Sequence, residues 1–289
     1  MGSMHLSSLV EMIESGFGDR VLLGDASRPV TGSRLGELVR AAASQLNGRE
    51  RALVYAGENH PLLPVSLLAA AWAGIPFVPV NYRLEDHHLN GLIARQPGAL
   101  VLADAATAPR ITGDVTVRVF DEWLASAPID APAIDPPFDD DDVAIVLYTN
   151  GTTSEPKAAL LRHRHLMAYL LGSVEFGGAG EEEAVLVSVP PYHIAGVANM
   201  LSNLFAGRRL VYLQAFDPHV WLETVRAEGV SNAMVVPTML ARIVDALHGE
   251  PAGCRRCDRC RTAGQRCPSA FCAQLCGPSP IPISSMPTD

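Results

Sequence analysis

Cysteine is absent from the first 253 residues, and all six cysteines of the chain lie between Cys254 and Cys276. A body of this size without cysteine excludes a secreted domain that depends on disulfides. The amino-terminal stretch has no basic segment followed by an apolar one, so the sequence predicts no signal peptide and a cytoplasmic location. No internal repeat is present, which excludes collagen-like and solenoid folds.

Basic residues are also scarce. The chain has 22 Lys and Arg residues against 31 Asp and Glu residues, which gives a net charge of −9, and no basic patch occurs in the first 250 residues. A nucleic acid or an anionic membrane is therefore not an expected partner. Charged residues make up only 18% of the chain and apolar residues 48%, so we expect a sizeable buried core rather than a disordered chain.

The longest apolar run covers residues 62–80, a length that raises the question of a membrane span. Pro64, Gly74 and Pro76 interrupt this run, and its pattern changes at Gly74 from helix-like to strand-like. The sequence therefore predicts a buried helix followed by a buried strand, and no membrane span.

Short apolar strands alternate with helices along most of the chain. Thr31 is predicted to cap a helix whose apolar residues recur at helical spacing. The predicted strands cover residues 51–56, 75–80, 99–103, 143–148, 158–161, 184–189, 209–213 and 232–236, and the predicted helices include residues 62–73, 84–95, 163–174 and 238–247. Because strands alternate with helices and nearly all strand residues are apolar, the fold class is α/β, with a largely parallel sheet and helices on both faces.

Composition divides the chain into four parts. Residues 1–127 form a first α/β subdomain, and residues 128–142, which are rich in proline and end in four successive aspartates, form a linker. Residues 143–250 form a second α/β subdomain. Residues 251–289 form a tail rich in cysteine, arginine and proline, which we expect to be disordered.

A polar loop follows the predicted strand at residues 143–148. Residues 148–157 read Tyr-Thr-Asn-Gly-Thr-Thr-Ser-Glu-Pro-Lys, so hydroxyl residues and a glycine lead to a lysine. Such a loop can surround phosphate oxygens with backbone N–H groups and hydroxyls, while the lysine supplies positive charge. The spacing of neither a Walker loop nor a dinucleotide-binding G-x-G-x-x-G motif is present. From the residues alone, phosphate binding and an ordinary polar turn fit about equally well.

The same loop resembles the nucleotide signature Tyr-Thr-Ser-Gly-Thr-Thr-Gly-x-Pro-Lys-Gly of the AMP-forming adenylate-forming superfamily, which includes the acyl-CoA synthetases. The departures from that signature are Asn150, Ser154 and Ala158. Two of them replace glycines, which narrows the backbone conformations available beside a phosphate.

Further segments resemble the same superfamily in the expected order. They are residues 74–84 (Gly-Ile-Pro-Phe-Val-Pro-Val-Asn-Tyr-Arg-Leu), 162–166 (Arg-His-Arg-His-Leu), 190–196 (Pro-Pro-Tyr-His-Ile-Ala-Gly), 216–218 (Phe-Asp-Pro) and 236–240 (Val-Pro-Thr-Met-Leu). The resemblance covers about residues 5–250, roughly the amino-terminal half of a complete family member. The resemblance of residues 81–84 is greatest to the fatty acyl-CoA synthetases.

The resemblance implies ATP-dependent activation of a carboxylic acid, here a fatty acid, through an acyl-adenylate to an acyl-CoA. Its substrates and cofactors would be a small-molecule acid, ATP, Mg²⁺ and coenzyme A. By position, the ATP phosphates would be held by Thr149, Asn150, Gly151, Thr152, Thr153 and Lys157. The acyl pocket would be lined by Tyr192, His193 and Gly196.

Without the resemblance, the histidines have plainer interpretations. His193 is more often a half-buried structural histidine than a ligand-binding one. His163 is expected to form a hydrogen bond at the start of a helix and to have a structural role. His87 and His88 are expected to be surface residues of a helix.

The cysteine tail has two interpretations. Cys254, Cys257 and Cys260 have the C-x₂-C-x₂-C spacing of an iron–sulfur run and Cys267 precedes a proline, but the last interval is too long for such a cluster. A zinc site is also conceivable. Alternatively, a shift of the reading frame back by one nucleotide near residue 254, with GC-rich codons, gives Val-Pro-Ser-Leu-Arg-Ser-Leu-Pro-Tyr-Gly-Gly-Ala-Thr-Leu-Pro. That segment resembles the family's next, adenine-contacting stretch, so we favour an out-of-frame tail and no metal site.

An out-of-frame tail lowers the activity expected of this chain. The family's later motifs and its mobile carboxy-terminal domain with the adenylation lysine would be missing, so we expect a truncated ligase with little or no activity. Two alternatives remain open: a non-catalytic nucleotide- or acyl-binding protein, and a metal- or redox-responsive protein that acts through the tail.

Overall fold

A computed structural model describes residues 4–46, 48–126, 135–136, 139–149 and 156–248, and the backbone of residues 259–262 and 265–266. The helices are α1 (Ser8–Phe17), α2 (Gly32–Ser44), α3 (Leu62–Trp72), α4 (Asp86–Ile93), α5 (Phe120–Ala125), α6 (His163–Ser173), α7 (Ile194–Ala206), α8 (Pro218–Ala227) and α9 (Pro237–Leu247). The strands are β1 (Val21–Leu23), β2 (Val30–Thr31), β3 (Leu53–Ala56), β4 (Phe77–Pro79), β5 (Leu100–Ala103), β6 (Thr116–Val119), β7 (Val143–Thr149), β8 (Lys157–Arg162), β9 (Ala184–Val187), β10 (Arg209–Tyr212), β11 (Asn232–Val235), β12 (Arg259–Thr262) and β13 (Gln265–Arg266).

The described strands form two sheets. One has the order β6-β5-β3-β4-β7-β8 and the other the order β13-β12-β11-β9-β10-β1-β2. Most neighbours are parallel, whereas the pairs β1–β2, β7–β8 and β12–β13 are antiparallel. Apolar strands in parallel sheets require cover on both faces, and the intervening helices provide it. The predicted α/β class with largely parallel sheets is therefore confirmed.

The two sheets do not follow the division of the chain at residues 128–142. Strands β7 and β8 lie after that segment, yet they extend the sheet that contains β3 to β6, with Phe77 opposite Ile145. Conversely, β1 and β2 come from the start of the chain, and they extend the other sheet because β1 pairs with β10 and β2 pairs with β1. The predicted subdomains 1–127 and 143–250 thus exchange strands. Proline and aspartate content carries no information about which apolar strand edges pair.

Helix α3 is part of the central core. All 11 of its residues are buried, as expected for a helix that is apolar on every side. It packs against α2, which in turn packs against α1. The predicted order of a buried helix and a buried strand is confirmed, because β4 follows α3. None of the helices in the described residues is long and apolar enough to span a membrane, and the cytoplasmic location stays a prediction.

The start of α2 follows the predicted capping pattern. Thr31 has extended backbone angles and its Oγ1 accepts a hydrogen bond from the Arg34 N–H at 3.3 Å. That contact satisfies one of the N–H groups that have no partner in the first turn of a helix.

Two short strands lie within the tail that was expected to be disordered. Strand β12 pairs in parallel with β11, with Asn232 opposite Arg259, and β13 returns antiparallel to β12. Main-chain hydrogen bonds at an open sheet edge do not require a particular side-chain pattern, which is why composition did not predict these strands. Cys260 belongs to β12, whereas Cys254, Cys257 and Cys267 lie outside the described residues.

Candidate functional site

The β7–β8 hairpin carries the two ends of the predicted phosphate loop. Thr149 is the last residue of β7, and it is paired in register with Lys157, the first residue of β8. The Thr149 hydroxyl donates to the Lys157 carbonyl at 3.3 Å, and both residues are exposed. Lys157 is the only lysine of the chain. An exposed ammonium and an exposed hydroxyl at the mouth of one loop are suited to bind phosphate oxygens.

The remaining predicted phosphate-binding residues are Asn150, Gly151, Thr152 and Thr153, and they lie outside the described residues. Their roles stay predictions from the sequence.

Two side chains that follow α4 hold the base of this hairpin. The Gln96 amide donates to the Tyr148 hydroxyl at 2.8 Å, and the Arg95 guanidinium donates to the Pro156 carbonyl at 2.9 Å. One contact precedes the loop and the other follows it. Both ends of the loop are therefore attached to the short segment that follows α4, which limits the movement of Thr149 and Lys157.

Aromatic rings gather where β9 leads into α7. The rings of Tyr192 and His193 lie 4.6 Å apart, and the Tyr82 ring packs edge-on against Tyr192 at 6.0 Å. Tyr192 is half-buried and His193 is exposed. Burial raises the pKa of the Tyr192 hydroxyl above its ordinary value, so this group remains a neutral donor at neutral pH. The structure thus brings the predicted acyl-pocket residues Tyr192 and His193 together in one ring cluster, formed by Tyr82, Tyr192 and His193.

Arg83 places a positive charge beside this ring cluster. Its guanidinium carbon lies 5.4 Å from the centre of the Tyr82 ring, and its Nε donates to the Tyr82 hydroxyl at 3.1 Å. Burial lowers the pKa of His193, and the charge of Arg83 lowers it further. His193 is therefore neutral at neutral pH, where it can accept or donate a hydrogen bond.

Gly196, the third predicted acyl-pocket residue, has a structural reason to be glycine. A Cβ at this position would lie 2.6 Å from the Pro190 carbonyl oxygen. The Gly196 N–H also donates to the His193 carbonyl at 2.9 Å, within the first turn of α7. Gly196 is buried, and it lets the start of α7 approach the loop that carries Tyr192.

The hairpin and the ring cluster lie at the same edge of the six-stranded sheet. Strands β4 and β7 are parallel neighbours, so the residues that follow Pro79 and those that follow Tyr148 leave the sheet side by side. The contact between Tyr82 and Tyr192 adds the end of β9 to this edge. Ligands of open α/β sheets bind at the carboxyl ends of the strands, where such loops meet.

Tyr82 and Arg83 are functional candidates that sequence reasoning did not select. In the sequence they belong to the segment 74–84 that resembles the superfamily, and no separate role is predicted for them. Their position directly after β4 was the available signal, because polar residues at the carboxyl end of a parallel strand commonly face a ligand site.

His163 occupies the structural position that was expected for it. It is the first residue of α6, it is buried, and its Nδ1 accepts a hydrogen bond from the Leu6 N–H at 3.4 Å. Its ring stacks on His5 with 3.5 Å between the ring centres. Burial, assisted by His5, lowers the pKa of His163 to about 3.

Comparison with known proteins supports the resemblance. The family model described as AMP-binding enzyme matches residues 12–285. Feruloyl-CoA synthase from Amycolatopsis sp is 32% identical over 270 residues, which cover 92% of this chain and 50% of that protein. Indoleacetate–CoA ligase from Aromatoleum aromaticum is 26% identical over 237 residues, covering 75% of this chain and 46% of that protein.

A solved structure shows the same fold. It is the o-succinylbenzoate coenzyme A synthetase from Bacillus subtilis in complex with AMP, with a TM-score of 0.76 and 21% identity. The match covers 91% of this chain and 55% of that chain. This chain therefore spans about half the length of the proteins that it matches.

Proposed function

The chain belongs to the AMP-binding enzyme family of adenylate-forming CoA ligases, and we propose that its site serves the ATP-dependent activation of a carboxylic acid. One observation carries this proposal. The hairpin with Thr149 and Lys157 opens at the same sheet edge as the ring cluster, which supports a phosphate-binding element beside an aromatic pocket for the acid. Acyl activation requires both elements, because a nucleoside triphosphate and an organic acid must be bound side by side.

In the proposed reaction, a carboxylate oxygen attacks the α-phosphorus of ATP and pyrophosphate leaves. The thiol of coenzyme A then attacks the acyl carbon, and AMP leaves. Both partners of the first step are anions, so their approach requires positive charge and hydrogen-bond donors. Lys157 supplies a charge, and the Thr149 hydroxyl can donate. Mg²⁺ would arrive bound to phosphate oxygens and would add positive charge there.

The ring cluster is proposed to hold the organic part of the acid. The cluster offers the ring faces and edges of Tyr82, Tyr192 and His193. Offset or edge-on contact between two aromatic rings is energetically favourable, so these residues can stabilise a bound aromatic group. The relatives named above act, by name, on ferulate, indoleacetate and o-succinylbenzoate, all of which contain a ring. An aromatic acid is therefore the first candidate. A fatty acid, which residues 81–84 favour by resemblance, is the second.

Binding of acyl-sulfamoyl adenosines, which are stable mimics of acyl-adenylates, tests this assignment. We expect the feruloyl mimic to bind at least tenfold more tightly than a long-chain fatty acyl mimic in isothermal titration. Tyr192→Ala should remove the difference, while Tyr169→Ala, an exposed tyrosine elsewhere, should keep it. Tighter binding of the fatty acyl mimic would select the second candidate. If neither mimic binds, the proposal is contradicted.

We propose that the 289-residue chain by itself catalyses the reaction slowly or not at all. It matches only half the length of feruloyl-CoA synthase, and loose positioning of the two anions forfeits most of the rate gain. ATP–pyrophosphate exchange by the purified chain, clearly above that of Lys157→Ala, would contradict this. Binding of the mimics without exchange is the result expected here, and it is also what a non-catalytic binding protein would show.

The tail is proposed to be out of frame from about Cys254. The shifted reading places Ser-Leu-Pro-Tyr at the positions of β12 and Gly-Gly directly after it. Nucleotide sequencing of the gene beyond codon 245 tests this proposal. An open shifted frame that continues with family-like sequence supports it. A shifted frame that closes at once would contradict it and would favour a metal- or redox-responsive tail.

A further inference from the structure

A group of exposed metal-ligating side chains lies at the start of α4, away from the hairpin. Glu85, His87 and His88 each offer a ligand atom, and these atoms all lie within 4.8 Å of one another. The His87 Nδ1 is 3.6 Å from a Glu85 carboxylate oxygen, and the two imidazole rings are 3.8 Å apart. We propose that Glu85, His87 and His88 form a binding site for a divalent transition-metal ion such as Zn²⁺.

The distances require only small side-chain movements. Bonds of about 2.0–2.2 Å from a zinc ion to nitrogen and oxygen ligands place those ligands within about 4 Å of one another. The three side chains are exposed, so nothing in the described residues around them opposes a rotation of this size.

The backbone beneath these ligands is held by a single arginine. The Arg110 guanidinium donates to the Tyr82 carbonyl at 2.7 Å, to the Leu84 carbonyl, and to the Asp86 carboxylate at 2.8 Å. The turn from Tyr82 to Asp86 is therefore fixed at three points. A fixed turn reduces the entropy that is lost when its side chains close on an ion.

Charge and ligand type select the class of ion. The first turn of a helix disfavours a cation, because its N–H groups carry partial positive charge. The Glu85 carboxylate opposes this effect, and it has no salt bridge to Arg or Lys among the described residues. Two imidazoles and one carboxylate suit Zn²⁺, Ni²⁺ or Cu²⁺, whereas Mg²⁺ and Ca²⁺ prefer sites made of oxygen. Three protein ligands leave a coordination position for water.

The turn that leads to the three ligands also carries Tyr82 and Arg83, and Tyr82 lies three residues before Glu85. The proposed metal site is thereby linked to the ring cluster, although none of its ligands belongs to that cluster. Its existence does not depend on the proposed acyl activation.

Zinc titration of the full chain, with its six thiols blocked by carbamidomethylation, tests this proposal. Blocking is needed because the cysteines would also bind zinc. We expect isothermal titration to show one equivalent of Zn²⁺ bound to the blocked chain. The double variant H87N/H88N should bind at least tenfold more weakly. His219→Asn should leave binding unchanged, because His219 is also exposed at a helix start but lies outside the group.

Electron paramagnetic resonance of the Cu²⁺-loaded blocked chain provides a second readout. We expect splitting from two imidazole nitrogens, and from one nitrogen in each single variant. Absence of a saturable one-equivalent site in the blocked chain would overturn the proposal. A Zn²⁺ affinity that differs by less than twofold between the blocked chain and its H87N/H88N variant would also overturn the proposal.

Discussion

At the scale of single residues, Gly196 links the packing of α7 to the ring cluster. Gly196→Ala would press a Cβ against the Pro190 carbonyl oxygen, an atom that cannot rotate away. We expect a loss of about 1–3 kcal/mol in the free energy of unfolding, measured by urea denaturation, since overpacking forces the backbone to shift. Because His193 precedes α7 directly, binding of the feruloyl mimic should weaken as well.

Gly172→Ala is the matched control for this substitution. Gly172 lies in α6, and a Cβ there would have no neighbour within 4 Å. The change should be neutral or stabilising by up to about 1 kcal/mol, because alanine is the better helix former. Equal losses for both variants would show that Gly196 has no special packing role.

The stacked pair of His5 and His163 predicts a dependence of stability on pH. The pKa of both is lowered by burial, that of His163 to about 3, despite the nearby Asp139, Asp140 and Asp142. An unfolded chain therefore takes up protons below about pH 6.5 that the folded chain does not. Stability is therefore independent of the protonation of these histidines above that pH. It falls as the pH falls, by about 1.4 kcal/mol per pH unit for His163 down to about pH 3, and the lowered pKa of His5 acts in the same direction.

Urea denaturation between about pH 7 and pH 4.5 measures this effect. The slope of the free energy of unfolding against pH measures how many protons the chain takes up on unfolding. His163→Asn should lower that number by about one. His219→Asn, which removes an exposed histidine, should leave the slope unchanged. Equal slopes in the wild-type chain and the His163→Asn variant would show that His163 is not buried as a neutral group.

At the scale of elements, β8 is the feature of greatest consequence. It is the last strand of the six-stranded sheet in the described residues, and its Ala158, Ala159 and Leu160 are exposed. An apolar edge strand that is paired on one side only is a template for pairing with another chain. We expect Leu160→Lys to reduce concentration-dependent aggregation, measured by light scattering, with little change in the midpoint of unfolding.

Ser202→Lys serves as the control for added charge, since Ser202 is a partly exposed residue of α7 and lies outside this edge. Equal effects of both lysines would indicate that net charge, and not the strand edge, governs aggregation.

Sequence patterns predicted the elements whose environment is uniform. Helix α3 and strands β3, β5 and β9 are buried along their whole length, so a continuous apolar run was a sufficient signal for them. Strand β6 alternates between exposed and partly buried residues, and β1 and β2 are only three and two residues long. Such short or weakly patterned strands are defined by their neighbours and were not found.

The site was predictable to a similar degree. Residues 148–157 and 190–196 were recognised from their composition and from family resemblance. The placement of Tyr82 beside Tyr192 depends on how β4 and β9, from different sheets, come together. Contacts between distant parts of the chain leave no trace in local periodicity, so the role of Tyr82 emerged only from the structure.

At the scale of the whole molecule, the proposed nucleotide site would be built from one half of a family member's length. Lys157 would be its principal charged residue, and it is the only lysine of the chain. An amine-directed reagent therefore has two targets, Lys157 and the α-amine of the first residue. The second target serves as an internal control in the same sample.

The most direct test of the central claim is the rate at which acetic anhydride modifies Lys157, followed by mass spectrometry with and without MgATP. We predict that a saturating concentration of MgATP slows modification of Lys157 at least fivefold and leaves the α-amine unaffected. An unchanged rate at Lys157, in a sample whose fold is verified by circular dichroism, would contradict the assignment of this hairpin to the nucleotide site.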